Sequence, residues 1–338
     1  MAITAALSTS FVQPQDEPDH PFESASFFES WWETLAHKFQ PVARQGQLVL
    51  INKPVLNGHF TLKTIRIAGW NNHYYQGFCE ERLREFCTLS RKAKWDYFEF
   101  FGNSAYVTPH IQDLFASRGL IPLEYPAEAT QVIDISKGWN AYWEDQGPKY
   151  RRDLSKKLRD VAHLNPQLVF YTGSVGIEAF FSQFFHHHLE YWAKSGGGSY
   201  FQDPREQSFI KRWASKLESN GQLMLTGLLM GGEITNLGMN IICNNNLYGL
   251  LTVNTGAHKT LHPGLINMHL TLQHASEMGL EKMDIGPGNS DYKKKLATHQ
   301  EKGYKLLVIN PKSVAGQLYG SYQNRRNRFP HSKMATFL

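Results

Sequence analysis

Between His258 and Lys293 the chain carries the loop pair His258 and His262, a Pro263-Gly264 step, Asp284, a Gly286-Pro287-Gly288 exit and the pair Tyr292-Lys293. The residues after His262 have helical spacing, so Pro263 falls in a first turn. A helix start leaves N–H donors unpaired and carries partial positive charge, which suits a phosphate. Proline there presets φ without giving up a useful donor, and Gly264 removes the side chain that would hold a ligand off. Histidine and aspartate are residue types that take a proton during catalysis near neutral pH. Each feature also has a plain structural reading: first-turn prolines are common, loop histidines are solvated, and an aspartate can cap a turn.

These residues need elements to hold them. The stretches QLMLTGLLM, EITNLGMNIIC and LYGLLTVNT read as a three-stranded antiparallel meander, linked by Gly231-Gly232 and Asn244-Asn245-Asn246, residue types that tolerate positive φ. Ahead of it come the strand QLVFYTG, a long helix ending at Gly196-Gly197-Gly198, and the helix DPREQSFIKRWASKLESNG. Behind it come the helix from Pro263, the short strand EKMDIG, a small helix around DYKKKLA and the strand YKLLVIN.

The first half reads as a helix from Ser24, strands QLVLIN and FTLKTIRIAG, a charged amphipathic helix from Glu80 to Lys92, the strand WDYFEFF, the helix HIQDLFASRGL and the strand QVIDIS. WNAYWED joins this half to a basic helix, KYRRDLSKKLRDVAHL. The expected organisation is α/β (mixed α+β): a flexible leader over 1–21, an N-terminal domain over 22–147, a C-terminal domain over 148–328 and a tail over 329–338.

With 338 residues, 41% of them hydrophobic, the chain can bury two cores. A net charge of +5 suits a phosphorylated ligand but is too small to argue for nucleic acid. Three cysteines (Cys79, Cys87, Cys243) form neither a CxxC pair nor an even disulfide framework, which points to free thiols in a reducing, cytoplasmic setting. No apolar run reaches membrane-spanning length, and the opening residues lack the pattern of a secretory signal.

The element order, together with KYRRDLSKKLR, WAKSGGGSYF, the GGE hairpin, LYGLLTVNT, HPGLINMHLTLQHASEMGLEKMDIGPG and DYKKKLA, resembles the GNAT acyltransferase superfamily. Within it the match is to the CelD-like proteins related to the Fem peptidyltransferases, over roughly residues 22–325. The resemblance implies tandem GNAT-like domains, each a mixed, largely antiparallel sheet flanked by helices. It also implies a donor arm lying in a gap between LYGLLTVNT and EKMDIG, with the helix from Pro263 beside a pyrophosphate.

Carried onto this chain, the resemblance makes Val253, Asn254, His262, Pro263, Gly264 and Leu265 donor-binding, and Asp284, His262, His258 and Lys293 candidates for proton transfer or charge stabilisation. Glu233, Arg151, Arg152 and Tyr292 are candidates for substrate binding. The implied reaction moves an acyl group from acyl-CoA or an acyl carrier protein thioester to a small-molecule or glycan amine by direct attack. The chain lacks the Q/RxxGxG/A signature of ordinary GNAT enzymes. A Fem-type donor, aminoacyl-tRNA, therefore stands as the alternative, as does a non-catalytic accessory module in polysaccharide biosynthesis.

No metal is expected. His186, His187 and His188 are consecutive, about 100° apart around a helix, and read as structural residues rather than as an i, i+4 chelating pair. Cys79 and Cys87 have no second cysteine pair to complete a zinc site.

Overall fold

The computed structural model describes residues 20–55, 58–70, 76–107 and 110–328. Most of the expected leader and the whole of the expected tail lie outside them. Order is present at His20, which is buried, and Pro21–Glu23 form a 3-10 turn. Phe22 packs on Trp213 and His20 on Tyr248, and burial pushes the His20 imidazole down to about 3.

Along the chain the elements are α1 (Ala25–Thr34), β1 (Pro41–Gln45), β2 (Leu48–Val55), β3 (Phe60–Ile67), β4 (Gln76–Phe78), α2 (Glu80–Lys92), β5 (Tyr97–Val107), α3 (Ile111–Ala116) and β6 (Ile121–Asp134). Next come α4 (Trp139–Asp145), α5 (Pro148–Val161), β7 (Gln167–Phe170), α6 (Gly173–Lys194), α7 (Pro204–Ser219), β8 (Leu223–Met230), β9 (Glu233–Cys243) and β10 (Asn246–Asn254). The last described elements are α8 (Pro263–Glu277), β11 (Lys282–Pro287), α9 (Asp291–Leu296), β12 (His299–Ile309) and α10 (Val314–Arg328). WNAYWED, read as a connection, is the helix α4, whose Tyr142 is buried and donates to the Leu296 carbonyl.

Two compact units form, and neither is a single stretch of chain. One is Phe27–Thr130 with Glu301–Leu338; the other is Met1–Ser26 with Gln131–Gln300. This partition differs from the expected boundary at 147/148. β12 pairs antiparallel with β5 from Gly303↔Asn103 to Ile309↔Tyr97, which draws the C-terminal strand into the first unit. The second unit instead takes α4, whose Tyr142 joins a core with Leu272, Met283 and Leu296. Both units are mixed sheets with helices packed on them, the architecture expected.

In the first unit the strand order is β1-β2-β3-β5-β12-β6, with β4 also on β5. Its core is aromatic: Phe78, Phe86, Phe98, Phe100 and Phe115 are all essentially sealed from solvent. A buried carboxylate, Glu99, ties three strands through ion pairs with Arg66 at 2.9 Å and with Lys305 at 2.8 Å.

In the second unit the order is β11-β10-β9-β8-β7. The meander β8-β9-β10 is antiparallel throughout, as the sequence predicts. Asn244 and Asn245 both take left-handed conformations in the β9–β10 turn, which is why asparagine stands there. Among the described residues, no helix is long and apolar enough to cross a membrane.

Candidate functional site

β10 and β11 run parallel and pair over three positions only, Asn246↔Lys282, Leu247↔Met283 and Tyr248↔Asp284. Two local causes end the pairing. On β10 the register with β9 jumps from Gly249↔Asn240 to Leu251↔Met239, so Leu250 is an extra residue in a bulge. On β11, Gly286 adopts φ +76, and Asp284 Oδ1 accepts the Gly286 N–H at 2.7 Å. This side-chain turn swings the chain away into Pro287 and Gly288.

The divergence leaves a cavity of about 140 Å³. Its apolar wall is Leu250, Leu251, Met268, Met283 and Ile285, with Tyr292 and Lys293 beside the exit. Its floor is polar: Thr226, Asn236, Asn240, Asn267 and Thr271 are all buried and line it. Asn236 Nδ2 donates to Asn254 Oδ1 at 2.8 Å, Asn267 Nδ2 donates to Asn236 Oδ1, and Thr271 Oγ1 donates to Asn267 Oδ1 at 3.0 Å. Gly249 keeps the cavity open, since a Cβ there would sit 3.2 Å from the Met283 Cε.

α8 starts beside this floor. A Cβ on Gly264 would lie 3.3 Å from Asn254 Oδ1, so glycine brings the helix start close to β10. His262 is the N-cap in a left-handed conformation, and its carbonyl accepts from both Leu265 and Ile266, at 3.0 and 3.3 Å. Pro263 has no N–H, so Gly264 carries the one first-turn amide without a partner among the described residues. The four-donor start expected from sequence is thus reduced to one amide plus the helix dipole, because the first turn closes tightly on His262.

The expected residues do not all gather here. Gly264, Tyr292 and Lys293 line the cavity, and Asp284 stands at the point of divergence. Lys293 Nζ donates to the Pro287 carbonyl at 2.8 Å and to Gly286 at 3.4 Å, so it braces the Gly-Pro-Gly turn. Burial pushes the Tyr292 phenol up, although Ser290 hydrogen bonding opposes it. Asn254 supports the floor from outside, while Val253 is buried in the strand.

Of the remaining residues, His258, His262, Pro263 and Leu265 flank α8's start without lining the cavity, and His258 lies against Gly231. Glu233 is exposed at the β8–β9 hairpin, opposite Met230. Arg151 and Arg152 are on α5, outside the cavity wall. α5 does pack against the Lys259–Leu261 turn, burying Val161 with Ile266 and covering Leu158 and Leu261.

Sequence reasoning missed the polar floor and the bulge. The floor had a signal: in NLGMN, Asn236, Gly238 and Asn240 recur at period two within an otherwise apolar strand, and Asn267 and Thr271 are i, i+4 on α8. The bulge had none beyond Gly249.

The histidine run has a neighbour that the run itself does not contain. Ligand atoms of His186, His187 and Glu190 lie within 4.8 Å of one another. Glu190 is about 40° around the helix from His186 and about 60° from His187, so it sits between two rings judged too far apart alone. His188 is structural as expected: it accepts from Trp192 Nε1 at 3.1 Å and contacts Ser199 Oγ at 3.0 Å.

Comparison with known proteins places this geometry. The family model of the Acetyltransferase (GNAT) domain matches residues 148–294, which contain the meander, α8 and β11. No curated protein matches the sequence. Among solved structures, FemX is 13% identical with a TM-score of 0.53, covering 82% of this chain and 90% of its own. The C-terminal domain (DUF2156) of a candidate lysylphosphatidylglycerol synthetase from Agrobacterium fabrum is 14% identical with a TM-score of 0.51, covering 89% and 97%. L-PGS from Bacillus licheniformis is 12% identical with a TM-score of 0.50, covering 90% and 98%. Residues 148–294 therefore match the acetyltransferase (GNAT) domain, and the chain shares its fold with FemX and the two synthetase structures.

Proposed function

We propose that the chain is an N-acyltransferase that takes an acyl group from a thioester donor, acyl-CoA or acyl carrier protein, and passes it to an amine in the cleft between β10 and β11. The observation that carries this reading is the end of strand pairing after Tyr248↔Asp284, beside a bulge and a helix that opens on Pro263-Gly264. The β10 backbone beyond Tyr248, released from β11 at the Leu250 bulge, offers donors to an extended donor arm and to the oxygen of a reacting carbonyl. Gly264 admits a phosphate to its free amide and to the α8 dipole. The amine nitrogen attacks the carbonyl carbon, a base takes its proton, and the thiolate leaves.

Asp284 is the base of choice by position, since it stands where the strands part; His262 and His258 are alternates beside the helix start. Arg151 and Arg152, on the helix that packs beside that start, would meet an acidic carrier. Cys79, Cys87 and Cys243 are in no disulfide, which fits a reducing cytoplasm. The polar floor favours a second reading of the donor. A short acyl group with hydrogen-bonding substituents, as in an aminoacyl-tRNA donor, leaves Asn240 and Thr226 satisfied, whereas a long alkyl chain would strip them of water.

Thermal-shift titration separates these readings. A saturable stabilisation by coenzyme A or acyl-CoA supports the first. Binding of aminoacyl-tRNA that weakens steeply with salt supports the second. Absence of a shift with every thioester and with tRNA overturns both. Gly264→Val is expected to weaken donor binding at least about tenfold in a folded protein; unchanged affinity removes the helix start from the site.

A further inference from the structure

We propose that His186, His187 and Glu190 on α6 form a binding site for one divalent transition-metal ion, of the zinc, nickel or copper class. The site is separate from the cleft: none of the three residues lines it. It uses two spacings at once. His186 and Glu190 are i, i+4 and His187 and Glu190 are i, i+3, the separations that put helical side chains on one face. The two imidazole rings stand edge to face with centroids 4.9 Å apart, and the three ligand atoms fall within 4.8 Å of one another.

The chemistry of the three groups matches such an ion. Two imidazoles and one carboxylate are the donor set that borderline divalent ions take, with further positions left for water. Neither imidazole makes a hydrogen bond among the described residues, so a metal displaces no existing partner from them. Glu190 Oε1 is held at 2.6 Å by Lys194 Nζ, which leaves Oε2 for the ion. Lys194 is therefore a competitor built into the same helix face. Binding would join the last turns of α6 just before Ser195 and the glycines 196–198.

The test is isothermal titration of the tag-free full chain with zinc chloride, repeated with nickel chloride, and with cobalt absorption to read the ligand field. One ion per chain is expected, with a dissociation constant in roughly the micromolar range for a three-ligand exposed site. His186→Ala with His187→Ala should weaken binding at least about tenfold, and Glu190→Gln by several-fold. Lys194→Ala should tighten it by freeing Glu190 Oε1, while His163→Ala, at an exposed histidine outside the site, should leave it unchanged. Circular dichroism melts without metal check that the variants are folded. No saturable binding by the wild-type chain, or binding that survives the double histidine variant, overturns the proposal.

Discussion

The two units repeat one device and finish it differently. In the first, β3 pairs parallel with β5 only at Thr64↔Tyr97 and Ile65↔Phe98, just as β10 leaves β11 in the second. There the vacated edge of β5 is taken by β4, through Gln76↔Gly102 and Phe78↔Val107, while β12 holds the opposite edge. Phe78 then fills the space with a side chain sealed from solvent, stacked 5.1 Å from Phe100. Along β11, among the described residues, no strand follows β10, and the gap keeps a polar floor beneath its apolar wall.

The helix starts differ in the same sense. α2 begins at Cys79 with Glu80 and Glu81 in its first turn, which stabilises the helix and repels an anion. α8 begins at Pro263-Gly264 with no acid in its first turn. A shared strand-helix-strand plan thus makes a packed core where β3 leaves β5 and a cleft where β10 leaves β11, and the difference lies in a few side chains and one short strand.

The largest test is to empty the filled cleft. Phe78→Ala should cost about 3–5 kcal/mol of stability, read by denaturant unfolding, because the cavity cannot collapse within a rigid aromatic core. It should not create donor affinity in the first unit; donor binding there would break the comparison. The converse test fills the open cleft. Gly249 has no positive φ, so Gly249→Val is compatible with the backbone, yet its side chain must enter the space beside Met283. Transfer should fall about 100-fold with the melting temperature little changed, a loss of correct positioning rather than of fold.

A smaller effect is expected with acid. His269 is buried in the second unit, with Trp139 4.7 Å and Trp143 5.6 Å away between ring centroids, and burial lowers its imidazole from 6.5 to about 4. The unfolded chain takes that proton near pH 6.5 and the folded chain does not. His269 should therefore make stability fall as pH drops from about 6.5 to about 4, by on the order of 2 kcal/mol, and His269→Phe should lessen that slope in unfolding measured across pH, with buried His20 keeping its own share. Smallest of all, Glu80→Gln with Glu81→Gln should cost about 0.5 kcal/mol each through the α2 dipole.

Local order was legible in the chain itself. Periodicity and caps gave α2 from Glu80 to Lys92, the β8-β9-β10 meander with its Gly and Asn turns, and the Pro263 start of α8, because these depend on neighbours a few residues away. Four things required the folded chain. β4 is three residues long, too short for a pattern, and exists because β5 offers it an edge. The pairing of β12 with β5 joins residues some two hundred apart, so no local rule marks the unit boundary. The loss of donors at α8 follows from the backbone angle at His262, and the convergence of His186 and His187 on Glu190 from a third residue that the run itself does not contain. Sequence settles what each segment prefers to be. Which edges stay open, and which side chains meet, is decided by packing between segments that are distant in the chain.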